Sequence, residues 1–172
     1  MDFRVVQGDI ADQEADVLVN AAGTSLQMGS GVAGALRRGA GAEINEEATS
    51  IGPIHLGAVA VTDAYDLDAE WVVHAAAMPH YGDGEATEES IRDATRNTLD
   101  RAEELGAQSL VTPALGCGVA GFPLEEGARI ICEVIDDYQS ESLEDVRFIG
   151  YSEGDVATIE RVADEGRAND GS

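Results

Sequence analysis

Two stretches of this chain combine residue types and spacing suited to holding an anion. Gly29-Ser30-Gly31-Val32-Ala33-Gly34 and Gly116-Cys117-Gly118-Val119-Ala120-Gly121 both follow the pattern G-x-G-x-x-G. Each lies between an apolar run and a helix-like segment. Glycine accepts positive φ and lets a ligand approach the main chain closely. The free N–H groups and dipole of a following helix then favour negative charge. A tight turn alone would explain one such run. Two at matching places point to a cradle for a phosphate-bearing nucleotide. Neither is followed by Gly-Lys-Ser/Thr, which excludes a P-loop. A Rossmann dinucleotide site expects the motif at the first strand–helix turn, with an acid about 20 residues on. Here a spacer separates the strand from the first motif, and Asp63, the acid of the next strand, lies too far along.

Other reactive side chains are few. His55, His74 and His80 are spread without metal-ligand spacing and read as structural, His80 being the one set in a polar loop beside Tyr81. Cys117 and Cys132 form no CxxC and no zinc pattern, so no metal or cofactor is expected. Cys117 sits in the second glycine run close to a helix start, a setting that can activate a thiol. No base adjoins it in sequence, so it reads as a small loop residue, and Cys132 reads as core.

Composition narrows the partners. Thirty-four Asp and Glu face ten basic residues, all Arg, for a net charge of −24. The hydrophobic fraction of 44% is that of a folding chain, so the charge is no sign of disorder. The acids are scattered along every segment, as expected of a protein from a salt-rich, halophilic cytosol and not of an acidic tail. The missing basic footprint argues against duplex nucleic acid. Neither a signal peptide nor a membrane-spanning run is read, and the expected location is cytoplasmic.

The elements that must position these loops follow from periodicity. Strands are expected at Phe3 to Gln7, Asp16 to Asn20, Ala58 to Ala64, Trp71 to Ala76, Ser109 to Ala114 and Val146 to Tyr151. Helices are expected at Val32 to Thr49, after Thr87 as N-cap until Gly106 as C′ residue, Leu124 to Tyr138, and Asp155 to Asp164. The polar end, Glu165 to Ser172, is expected to fray. Strands alternating with helices imply one domain, residues 1–164, with a mostly parallel sheet covered on both faces. Ligands then bind beyond the carboxyl ends of the strands, where both glycine runs fall.

Taken together, Gly8-Asp9-Ile10, Val19-Asn20-Ala21-Ala22, Gly29-Ser30-Gly31-Val32, Val73-His74-Ala75 and Gly118-Val119-Ala120-Gly121-Phe122-Pro123 resemble the macro domain family in order and spacing, over about residues 3 to 164. The resemblance implies a three-layer α/β/α fold with a mixed, mostly parallel sheet. It also implies ADP-ribose, free or on a macromolecule, as ligand. By the same resemblance Asp9 receives the adenine amino group, with Ile10 beside it, and Asn20 meets the distal ribose and is the candidate catalytic residue. Gly29, Ser30, Gly31 and Val32 lie against the distal ribose and phosphate. Gly116, Cys117, Gly118, Val119 and Ala120 wrap the diphosphate, and Tyr151 stacks on adenine. Asp9 also reads as an N-cap, Asn20 as a strand-end cap and Tyr151 as core edge. Many hydrolytic members carry Asn, an acid and an aromatic where this chain has Gly23, Ala33 and Ala120. Binding is therefore the firm expectation. Hydrolysis of ADP-ribosylated protein or of ADP-ribose 1″-phosphate stands beside a binding-only module as the open alternative, and a Rossmann-type oxidoreductase is disfavoured.

Overall fold

The computed structural model describes residues 1–80, 83–117 and 121–170. Six strands form one sheet: β1 (Arg4–Gln7), β2 (Val17–Gly23), β3 (Val59–Asp63), β4 (Trp71–Met78), β5 (Ser109–Thr112) and β6 (Asp145–Gly150), in the order β1-β6-β5-β2-β4-β3. All neighbours are parallel except β3, which pairs antiparallel with β4 at one edge. Five helices cover it: α1 (Gly31–Ala40), α2 (Glu43–Ile51), α3 (Glu88–Glu104), α4 (Leu124–Asp137) and α5 (Glu153–Asp170). The expected three-layer α/β/α arrangement is observed.

Strand side chains alternate between two cores. Val17, Val19, Val73, Ala75, Val146 and Phe148 face α3, α4 and α5, where Ile91, Ile131 and Ile159 meet them. Leu18, Ala22, Val72, Val111 and Ile149 face α1 and α2, against Leu36, Ile44 and Ala48. Each fully buried aliphatic side chain contributes about 1.5–3 kcal/mol. Among the described residues no helix is long and apolar enough to cross a membrane.

Local signals placed α3 well. Thr87 Oγ1 accepts the Ser90 N–H at 3.0 Å while Ser90 Oγ accepts the Thr87 N–H at 2.9 Å, a reciprocal cap. At its other end Gly106 (φ +74°) donates to Glu103 O and Ala107 to Ala102 O, the double closure of a left-handed helix terminus.

Three of the boundaries that differ from expectation have a plain physical cause. The segment read as one helix over Val32 to Thr49 is two, because Gly41 takes φ +103° and turns the chain between Ala40 and Glu43. The last helix runs to Asp170 instead of fraying after Asp164. There Arg167 donates to Phe3 O at 2.8 Å and lies 5.2 Å from the Phe3 ring centroid, while Glu165 pairs with Arg129 at 3.3 Å. Strand β2 continues past Asn20 to Gly23, because Asn20 to Ala22 stay in register with His74 to Ala76 of β4.

Candidate functional site

A cavity of about 480 Å³ opens at the carboxyl ends of β2, β4 and β5. Its floor is Ala21, Gly23, Met78 and Ala114. One wall is the first glycine run, Gly29 through Ala33, and another begins with Gly116 and Cys117. Thus Gly29, Ser30, Gly31, Val32, Gly116 and Cys117 line one cavity. Gly118, Val119 and Ala120 lie outside the described residues.

Helix α1 begins at this cavity with its N-terminus bare. Ser30, its N-cap, makes no side-chain cap bond, and no acid occupies the first turn. The other helices carry acids there: Glu43 and Glu46 on α2, Glu88 and Glu89 on α3, Glu125 and Glu126 on α4, Glu153 and Asp155 on α5. Carboxylates at those termini already answer the dipole and would repel an anion. In a chain this acidic, α1 alone among the described helices leaves its positive end open to one.

Asp9 and Tyr151 lie apart from the cavity, following β1 and β6 at the same edge of the sheet, where Gly8 donates to Gly150 O at 3.1 Å. Asp9 caps the single 3₁₀ turn Ile10–Asp12, its Oδ1 accepting the Ala11 N–H at 2.9 Å. Its Oδ2 takes no hydrogen bond among the described residues. Tyr151 is 77% exposed, which removes the core-edge reading. The Ile10 side chain is buried in the core facing α1, so only its main chain is open to a ligand.

Asn20 does not line the cavity. It is 1% exposed in the interior of β2, and its Nδ2 lies 2.9 Å from His74 Nδ1, whose Nε2 lies 2.9 Å from Thr62 Oγ1. A neutral imidazole satisfies this chain: Nδ1 accepts from Asn20, Nε2–H donates to Thr62, and Thr62 O–H donates to Asp63 O at 3.0 Å. Burial pushes the His74 pKa from its ordinary 6.5 down to about 4. Asn20 Oδ1 is buried without a partner among the described residues. Buried three residues before the end of β2, Asn20 is shut off from the distal-ribose and catalytic position expected of it.

Burial likewise raises the Cys117 thiol to about 11, and its Sγ packs 3.6 Å from Leu115 O. This thiol is no nucleophile near neutral pH. His55 is exposed, and no group able to hold a metal occurs among the described residues.

Sequence reading missed one pair. His80 Nδ1 lies 2.9 Å from Ser25 Oγ, the His80 N–H reaches Thr24 Oγ1 at 3.1 Å, and both His80 and Ser25 line the cavity. The two residues are 55 positions apart, so no local motif announces them.

A second cavity, of about 410 Å³, lies at the opposite, amino ends of the strands. Glu14, Asp16, Asp68, Glu70 and Asp145 line it with Arg147, whose guanidinium is already held by Gln13, Glu14 and Asp145. Its walls disfavour an anion.

The Macro domain family profile matches residues 19–131. An uncharacterised protein of Mycobacterium tuberculosis is 40% identical over 91% of this chain, which spans only 43% of that longer protein. A macro domain-containing protein of Caldanaerobacter subterraneus is 33% identical over 95% of the chain and 96% of its own length. Among solved structures, an Oceanobacillus iheyensis macrodomain with ADPR superposes at a TM-score of 0.83, with 25% identity, over 94% of this chain and 91% of its own. The Trypanosoma brucei macrodomain in complex with ADP-ribose superposes at 0.80, with 27% identity, over 91% and 67%. The chain belongs to the macro domain family.

Proposed function

We propose that this domain binds ADP-ribose, free or attached to a macromolecule, through the cavity at the carboxyl ends of β2, β4 and β5. The observation that carries this reading is the bare N-terminus of α1, set beside glycine main chain in a molecule whose other described helix starts are all acidic. The superposed macrodomains bound to ADPR and ADP-ribose support it.

The strand spacing supports one orientation. From β2 to β1 is three strand spacings, about 14 Å at about 4.8 Å each, a span that suits adenine at one end and ribose at the other. Adenine sits at the β1–β6 edge, its amino group donating to Asp9 and its ring against Tyr151. A carboxylate only accepts, so Asp9 selects an exocyclic NH₂ over a guanine O6. The diphosphate lies across Ser30, Gly31 and Val32 and the loop from Gly116 to Ala120. The distal ribose then falls at the β2–β4 side, against Gly23 and Gly29.

A net charge of −24 is compatible with a dianion because the N–H groups act at contact distance. At about 1 M salt the screening length is about 3 Å. The same scattered charge supports reading it as a protein of a salt-rich, halophilic cytoplasm. Calorimetry with ADP-ribose in molar KCl tests the reading. Saturable binding is expected, weakening on dilution of the salt, with adenine-dependent affinity lost in Asp9→Ala. Absence of binding in molar KCl sinks it. Unchanged discrimination against GDP-ribose in Asp9→Ala would reduce Asp9 to a cap.

A further inference from the structure

We propose that His80 and Ser25 form a proton-transfer pair that hydrolyses an ADP-ribosyl ester, one joining C1″ of the distal ribose to a carboxylate side chain of a modified protein. This rests on ADP-ribose occupying the cavity as set out above. With adenine at the β1–β6 edge, the ribose end reaches the far side of β2. Ser25 follows β2 there and His80 follows β4.

Four features of the pair carry the argument. The His80 ring is fixed at Nδ1 by Ser25 Oγ at 2.9 Å, and its main chain is fixed by Thr24 Oγ1 at 3.1 Å. Its Nε2 takes no hydrogen bond among the described residues. Among the described residues no carboxylate lines the cavity, and His80 and Cys117 are its only titratable side chains, the Cys117 thiol being held protonated by burial. Finally, Gly23 makes the approach possible: a Cβ there would lie 3.1 Å from Pro79 O and 3.6 Å from His80 Cα. The bare strand end admits the His80 segment against the floor of the cavity.

The chemistry follows from the tautomer. With Nδ1–H donated to Ser25 Oγ, which also receives the Gln27 N–H at 3.3 Å, the Nε2 lone pair is a base. Nε2 takes a proton from water as the water oxygen bonds to C1″. The C1″–O bond to the acyl group breaks, and its electron pair leaves on the carboxylate. The imidazolium then gives its proton to solvent. The products are ADP-ribose, the free carboxylate and one proton. His80 is the catalytic base and Ser25 its positioning residue.

The test uses the full chain in molar KCl with a peptide ADP-ribosylated on glutamate, following kcat and KM against pH, and ADP-ribose affinity by calorimetry in the same buffer. Wild type is expected to turn over. His80→Gln is expected to lose about 10²–10⁴ in kcat, to lose the acid limb of the pH profile, and to change ADP-ribose affinity far less. Ser25→Ala is expected to lose less and to shift that limb, with Ser25→Thr restoring both; this series keeps the test open should His80→Gln fail to fold. Wild-type turnover with an unchanged pH profile in His80→Gln or Ser25→Ala overturns the proposal. So does a wild type that binds ADP-ribose and cleaves nothing. A wild type that binds no ADP-ribose overturns the underlying binding reading instead.

Discussion

The two glycine runs share one pattern and do different physical work. In the first, a Cβ added at Gly29 or Gly31 meets nothing within 4 Å. Those two glycines face open space, and what they leave free is main chain beside a bare helix start. In the second, Gly116 and Gly121 are pressed against the fold. A Cβ on Gly116, already at φ +74°, would come within 2.7 Å of Ala86 Cβ and 3.0 Å of Ile91 Cγ1. A Cβ on Gly127, in the first turn of α4, would collide with Cys117 Sγ. The helix after the second run also starts with Glu125 and Glu126, whereas α1 starts with no acid. A shared motif therefore marks one loop that leaves room for a ligand and another that packs tightly to hold its wall in place.

Substitutions separate the two roles. The largest effect is expected from Gly116→Ala, which combines a disfavoured φ with overpacking against Ala86 and should cost about 2–4 kcal/mol. Urea unfolding in molar KCl measures it, and an unshifted midpoint would show that the second loop gives way easily. Gly127→Ala should cost about 1–3 kcal/mol by overpacking, and Cys117→Ala in the same chain should return most of it by removing the sulfur. A strictly additive double mutant would break the inferred contact. Gly31→Ala, strained at φ +62° but unobstructed, should cost about 1 kcal/mol. Gly29→Ala should leave the unfolding midpoint within about 0.5 kcal/mol yet weaken ADP-ribose binding, measured by calorimetry. Equal stability losses in Gly29→Ala and Gly116→Ala would erase the contrast.

How far each feature could be read in advance follows the same division between local and distant causes. Strand and helix identities, the Thr87 cap and the Gly106 terminus depend on residues a few positions apart, and periodicity reveals them. The break at Gly41 is local too, but the apolar spacing of Leu36, Ile44 and Ala48 runs through it and hides the turn. The end of α5 depends on Arg167 reaching Phe3, 164 positions away. By sequence the strand ends at Asn20, since Ala21 and Ala22 carry no strand signal of their own. Pairing with β4 extends the strand and buries the amide. The glycine cradle was legible because it is contiguous. The His80–Ser25 pair was not, because only the parallel placement of β2 and β4 brings its members together.

The Asn20–His74–Thr62 chain makes the fold a proton-linked equilibrium. His74 is held neutral in the native state, and both its ring nitrogens are committed to that form. Once unfolded, the imidazole regains its ordinary pKa of 6.5, against about 4 when folded. Between these values the unfolded chain binds the extra proton, so acid pulls the equilibrium toward it. The stability that neutral His74 contributes is complete above about pH 6.5 and is lost as the pH falls toward 4. Unfolding midpoints measured from pH 7 down to pH 5 should fall, and His74→Gln, with no ring to protonate, should flatten that slope even as it lowers the starting value. Three buried side chains on β2, β4 and β3 thus set an acid limit on the domain from inside the sheet.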